Sequence, residues 1–279
     1  MTDPVLPPRH GPEPVPVPTH ITERILGTIL PPLILGVLLL MLYVYARNSL
    51  PEYRQFLMPS GAGLWEKAFS RPDVVTELLK RSLVTISIAV AGLAVSIPVG
   101  ILLGVLMFRL RLMEKAVFPY LVALQSIPVL AVIPLIQSAL GFGFLPKILI
   151  VALFTFFAVP TTLLLGLKSL DRSIVDLFKM SGASWQVTLL KAGFPSSAPS
   201  LFAGLRISAG LAVIGAIVSE LFFLSGPGGL GQMLINAKIE FLYEEMYAAL
   251  IASSVLSISV YLFFQYLGNR LFAQWHGQV

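Results

Sequence analysis

Apolar residues run through this chain in long blocks instead of alternating with polar ones. Six blocks cover residues 25–45, 83–108, 117–140, 148–166, 201–223 and 247–267. Each is long enough to cross the ~30 Å hydrocarbon layer of a bilayer as a helix, which takes roughly 20 residues. A helix also satisfies its own backbone polar groups, as a lipid-embedded segment must. The pattern predicts an all-α, polytopic membrane protein with about six transmembrane helices. Residues 1–20, with seven prolines and no apolar run, read as a disordered tail and lack the layout of a signal peptide. Residues 21–82 hold the first span and its outer loop, 83–270 the other five spans, and 271–279 a short tail. Within the outer loop, the amphipathic stretch 74–79 either lies on the membrane surface or leads straight into span two.

Composition agrees with the pattern. The chain is 56% hydrophobic and 12% charged, with mean hydropathy +0.86. Soluble domains carry roughly 25% charged residues. The net charge of +5 comes mostly from basic residues at the ends of the apolar blocks, which points to headgroups and topology rather than nucleic acid. Short loops obey the positive-inside rule when both termini are cytoplasmic: the stretch 109–115 is basic, whereas 238–245 holds three Glu and one Lys. Lys147 then falls in an outer loop. The absence of cysteine excludes disulfides, thiolate metal sites and a cysteine nucleophile.

Small residues mark where helices can approach closely. Gly92, Ser96, Gly100 and Gly104 recur every four residues in span two. Span five carries Gly204, Ser208, Ala212, Gly215 and Ser219 at spacings of four and three. Pro98, Pro128, Pro134 and Pro160 are expected to kink spans two to four. In span three, Gln125, Ser126, Gln137 and Ser138 are either pathway groups or helix-to-helix hydrogen bonds. Ser126 and Gln137, three turns apart, share a face if the helix is unbroken.

Glu220 is the one acid inside a span, which makes it a functional candidate. It reads as a proton-relay acid, a polar group lining a path with Ser219, or a residue at headgroup level. The third glycine run, 225–231, fits GxGxxG but follows an apolar helix, so a tight outer turn explains it better than a nucleotide site. The chain has no phosphate-binding GxxxxGK[ST], and its histidines lie in the tails, so no ATP hydrolysis, cofactor or metal site is expected of it.

Between spans four and five, residues 171–206 mix Ile174, Leu177, Phe178 and Met180 with Lys179 and Trp185. The mixture predicts two short amphipathic helices joined near Ser181 to Ala183, with Gly182 at the turn and Pro195 ending the second. An apolar face on a cytoplasmic loop needs a partner.

This loop, 168–195, resembles the coupling loop of permease subunits in bacterial ABC importers that depend on a substrate-binding protein. Gly182 and Pro195 stand at the family's separation, Asp176 takes its acid position and Phe194 its leucine position. Leu177 and Phe178 replace two alanines, and Ala192 stands at an aliphatic position. Ala183, Ser184 and Trp185 belong to the stretch GASWQ, which with GLR (204–206), VIGAIVSE (213–220) and GGLG (228–231) resembles the nitrate/sulfonate/taurine-type branch. The stretch 145–157 leans towards members importing the pyrimidine precursor of thiamine, or riboflavin.

The resemblance implies a MetI-like type I importer core over 83–270 and a non-catalytic subunit in the bacterial inner membrane. It also implies a second permease copy or paralogue, two cytoplasmic ATPases holding ATP and Mg, and an extracytoplasmic binding protein. A different class remains open, an ion-coupled secondary transporter using Glu220.

Overall fold

The computed structural model describes residues 21–226 and 228–272, and the two expected tails lie almost wholly outside them. Two compact units divide at Met58 and Pro59. The first contains α1 (Ile21–Ser49) and a 3-10 turn over Glu52–Leu57. Leu33, Leu38 and Met41 of α1 are each more than half exposed, as suits an apolar helix in a bilayer. Arg47 Nε donates to the Met58 carbonyl at 2.9 Å, folding the turn back on the end of the helix.

The second unit opens with α2 (Gly61–Leu64), which continues into a wide π turn at Trp65–Phe69. Ser60 caps α2 by accepting from Gly63 N at 3.0 Å. Then α3 (Pro72–Arg109) runs unbroken for 38 residues. Proline suits its first turn, where an N–H would go unused. At ~1.5 Å per residue this helix exceeds the bilayer thickness, so residues 74–79 are its first turns and lead directly into span two. Val74 and Leu78 pack with Ala68, Leu230, Met233, Ala248 and Ala249.

The third expected span is not one helix. It divides into α4 (Arg111–Ser126) and α5 (Val129–Leu140), bent 98° to each other. Pro128 causes the break: it lacks an N–H and forces Ile127 into an extended conformation (φ −73°, ψ 123°). Next come α6 (Phe144–Thr155) and α7 (Ala158–Lys168), one 25-residue span distorted ahead of Pro160. Lys168 pairs with Glu114, so the start of α4 and the end of α7 share one end of the body. Residues 141–143 join α5 to α6 at the other end. The bent pair therefore crosses as a unit, giving six crossings with α1.

The segment after α7 holds α8 (Arg172–Met180) and α9 (Trp185–Thr188). A π turn at Leu189–Gly193 leads into α10 (Phe194–Phe222), and α11 (Leu230–Ile239) and α12 (Tyr243–Phe272) complete the fold. Pro195 does not end the second short helix, contrary to expectation. It sits in the first turn of α10, and the wide π turn behind it takes up the missing hydrogen bond and ring clash.

Packing centres on α6 and α7, held between α3 and α10. A Cβ on Gly92 would come within 2.3 Å of Val151, on Gly100 within 2.9 Å of Val159, and on Gly104 within 3.0 Å of Leu163. Ser96 completes this row by accepting from Thr155 Oγ1 at 2.8 Å. On the opposite face, a Cβ on Gly204 would fall 2.0 Å from Thr162 Oγ1 and one on Gly215 3.2 Å from Phe154. Ser208 Oγ donates to the Thr155 carbonyl at 3.1 Å, and Ala212 is wholly buried. Thr155 thus joins both stripes, and neither could carry larger residues without separating the helices.

Candidate functional site

Three features could carry function, and they lie at different levels of the helical body. The first is the α8–α9 hairpin. Asp171 caps α8 by accepting from Ser173 N at 2.9 Å, which holds its carboxyl below the usual carboxylate range. Ile174, Leu177 and Met180 lie on the exposed surface of α8, Met180 at 87% exposure. Asp176 pairs with Lys179 at 3.3 Å along the polar side. The chain reverses at Gly182, whose φ of +71° is left-handed and favours glycine. Ala183 N closes the turn on the Phe178 carbonyl at 3.0 Å, and Ser184 caps α9.

The base of the hairpin is fastened to the spans. Trp185 and Phe194 pack against Leu163, Leu167 and Leu189, and Arg109 at the end of α3 stacks 5.0 Å from the Trp185 ring. The hairpin tip is exposed while its root packs with residues of α3, α7 and α10.

The second feature is the break between α4 and α5. Gln125 and Ser126 are exposed there, and the break turns Ser126 and Gln137 onto different helices. Gln137 Nε2 instead donates to the Phe222 carbonyl at 3.0 Å, closing the end of α10. A cavity of about 240 Å³ beside the break is lined by Leu124, Gln125, Val129, Phe154, Phe156 and Phe157, among others. A second, of about 420 Å³, shares Leu124, Leu153 and Phe156 with it and contains Ser96.

The third is the surroundings of Glu220, which is wholly buried. Its carboxylate accepts from Thr85 Oγ1 at 3.0 and 3.1 Å and from Gly231 N at 2.8 Å. Thr85 Oγ1 in turn accepts from Leu230 N at 2.9 Å. Arg81 donates to the Gly228 carbonyl at 3.0 Å and to Gln232 at 3.3 Å, and Gln232 also bonds the Leu224 carbonyl. Lys147 is not in a loop but fully buried in α6, with its charge acting on Glu220. Glu220 is thus enclosed by side chains and backbone of the described residues. It holds the turn after α10 against α3, and adjacent Ser219 bonds back to the Ala216 carbonyl at 2.7 Å.

That latch needs its glycines. A Cβ on Gly229 would lie 2.1 Å from Glu220 Oε1, and one on Gly231 2.3 Å from the Ile217 carbonyl oxygen. Thr85, Arg81, Lys147 and Gln232 escaped the sequence reading. The available signal was slight: Lys147 stands just before the fourth apolar block and Glu220 within the fifth, and a buried charge needs polar partners.

Residues 96–273 match the family described as binding-protein-dependent transport system inner membrane component. The chain belongs to this family. The permease is 37% identical to the formylaminopyrimidine transport permease protein ThiX of Halalkalibacterium halodurans, over 67% of this chain and 74% of that one. It is 33% identical to the riboflavin transport system permease protein RibX of Chloroflexus aurantiacus, over 85% and 87%. Its fold is that of a chain in inward-facing conformations of the MetNI methionine ABC transporter. The TM-score is 0.54 at 21% identity, covering 72% of this chain and 94% of that chain. The permease is thus the membrane-spanning subunit of an ABC importer, and the ion-coupled alternative, which needed Glu220 free to exchange a proton with a path, is not favoured.

Proposed function

We propose that this permease carries a small, uncharged heterocyclic nutrient into a bacterial cell. It works beside a second copy or a paralogue, between a cytoplasmic ATPase dimer that holds ATP and Mg and an extracytoplasmic binding protein. Both termini face the cytoplasm, as the basic short loops require.

The α8–α9 hairpin is the observation that carries this reading. Its apolar residues face outwards from a turn that only a left-handed residue closes well, and its root is stacked on three spans. Such a knob transmits closure of a partner ATPase to the helices. Gly182→Asp strains the turn and puts a charge at its tip. We expect uptake and substrate-stimulated ATPase activity of the assembled transporter to fall to background, with unchanged amounts of permease in the membrane. Normal uptake in that variant would refute the docking role.

For the cargo, the cavities beside Gln125 offer aromatic walls and one amide. Flat rings stack on Phe154, Phe156 and Phe157, and an amide can both donate to and accept from a heterocycle. No basic residue lines either cavity, which disfavours a sulfonate or nitrate, whose charge would be buried unpaired. The relatives named for formylaminopyrimidine and riboflavin support the same class. Transport assays on the reconstituted complex with pyrimidines, riboflavin and alkanesulfonates separate the choices. Preference for a sulfonate would overturn the heterocycle assignment.

A further inference from the structure

Towards the docking-loop end of the body, α10 and α12 part around a cavity of about 160 Å³, lined by Phe202, Arg206, Phe264, Gln265, Gly268 and Asn269 among others. A single water needs only ~10–15 Å³ of such space, so the cavity admits a polar group larger than one solvent molecule. Arg206 Nε is sealed from solvent with no hydrogen-bond partner. Its guanidinium makes no ion pair among the described residues, and its one contact is with the Tyr261 ring, 5.5 Å from the centroid.

The side chains of Gln265 and Asn269 likewise form no hydrogen bonds among the described residues. They are four residues apart on α12, so they occupy one helix face, and no acid lines the cavity. Exposed Arg270 stands on the same last turn of α12 and adds positive charge. A cation with a sealed, unpartnered Nε and two amides line one polar-sized space, and together they form the complement of an anionic oxygen cluster. Guanidinium forks suit phosphate, and basic pockets between transmembrane helices hold lipid headgroups. Apolar walls from Phe202 and Phe264 suit the glycerol and first acyl carbons.

We propose that this cavity binds the headgroup phosphate of an anionic phospholipid, held by Arg206, Gln265 and Asn269. The lipid bridges α10 and α12 beside the Arg206–Tyr261 stacking contact, where no hydrogen bond joins the two helices among the described residues.

The full-length permease, purified with its complex partners in mild detergent, tests this by native mass spectrometry. The complex is delipidated and titrated with phosphatidylglycerol, with phosphatidylcholine, and with inorganic phosphate. Phosphatidylglycerol should bind at least tenfold more tightly than phosphatidylcholine, at one lipid per chain. Arg206→Gln should weaken it about tenfold or more, the loss of one charge-assisted contact. Gly268→Leu fills the cavity without altering any of the three polar groups, because a Cβ there meets only the Phe202 ring at 3.4 Å. It should abolish retention in a complex that still assembles. Unchanged lipid binding in both variants overturns the proposal. So does displacement of the lipid by millimolar inorganic phosphate, which would make free phosphate the ligand. Loss of permease self-association in Arg206→Gln with lipid retention intact would assign the cavity to a second copy instead.

Discussion

At one end of α10 the chain folds into the α8–α9 hairpin, where nothing lies within 4 Å of the position a Cβ would take on Gly182. At the other end it folds over Glu220, where Gly229 and Gly231 have no such room. Both are glycine turns beside the same helix, yet glycine serves opposite needs. Gly182 is there for its left-handed φ, in a loop whose apolar residues face away from the body. Gly229 and Gly231 are there for close approach, so that backbone N–H groups reach a carboxylate and a hydroxyl. On the proposed reading the first is a docking surface that must stay open to a partner, whereas a latch must exclude everything else. Changes at the first should therefore spoil coupling without unfolding the permease, and changes at the second should unfold it first.

The largest effect is expected at the latch acid. Glu220→Ala removes the acceptor of the Thr85 and Gly231 hydrogen bonds in a fully buried place. Leaving a buried donor without its acceptor costs ~1–3 kcal/mol for each. The thermal midpoint of the purified complex should drop sharply and the amount in the membrane should fall. If Glu220→Ala kept full stability but lost uptake, the residue would belong to a path and not to a latch. Gly231→Ala should cost less, about 1–3 kcal/mol, the usual range for overpacking, because its Cβ meets a carbonyl oxygen that cannot rotate aside. Equal stability of Gly231→Ala and wild type would sink the close-approach argument.

Much of this was legible in the sequence. The small-residue stripes announced themselves by spacing, because an i, i+4 repeat in an apolar block has few uses other than helix contact. The sequence could not say what they meet: the rows at Val151, Thr155, Val159 and Leu163 are ordinary residues whose register with α3 is set only by packing. The hairpin was legible for a similar reason, since amphipathy and a glycine are local signals. The break at Pro128 was underread, because proline inside an apolar block is compatible with either a kink or a full reversal of direction, and the 98° bend depends on what α6 offers α5. Glu220 was misplaced because distance along a helix says nothing about which neighbour covers a side chain. Its hydrogen-bond partner Thr85 comes from α3, far away in sequence.

A middle-sized effect separates coupling from stability within the hairpin. Leu177 is 65% exposed on α8, so Leu177→Glu loses no core contact. The complex should keep its thermal midpoint within about 0.5 kcal/mol, the usual range for surface changes, while ATPase stimulation by loaded binding protein falls at least tenfold. A variant with wild-type stimulation would move the docking face away from Leu177.

The smallest expected effect tests the hairpin through pH. The Asp171 carboxyl accepts the Ser173 backbone N–H at the start of α8, and its affinity for protons is lowered relative to an ordinary Asp. A depressed folded-state value means the cap is fully in force above the unfolded-state value of ~3.9 and is lost as pH falls through the lower folded-state value. The group is fully exposed, so global stability should barely register the change. Local opening of α8 should register it. Hydrogen exchange of the amides early in α8 should, after correction for intrinsic rates, lose protection as pH drops below about 4 in the wild type. Asp171→Asn, which keeps a capping oxygen but cannot titrate there, should flatten that dependence. If the wild type and Asp171→Asn lost protection in parallel, the acid sensitivity of the loop would not come from Asp171, and the cap would be incidental to how the hairpin holds its shape.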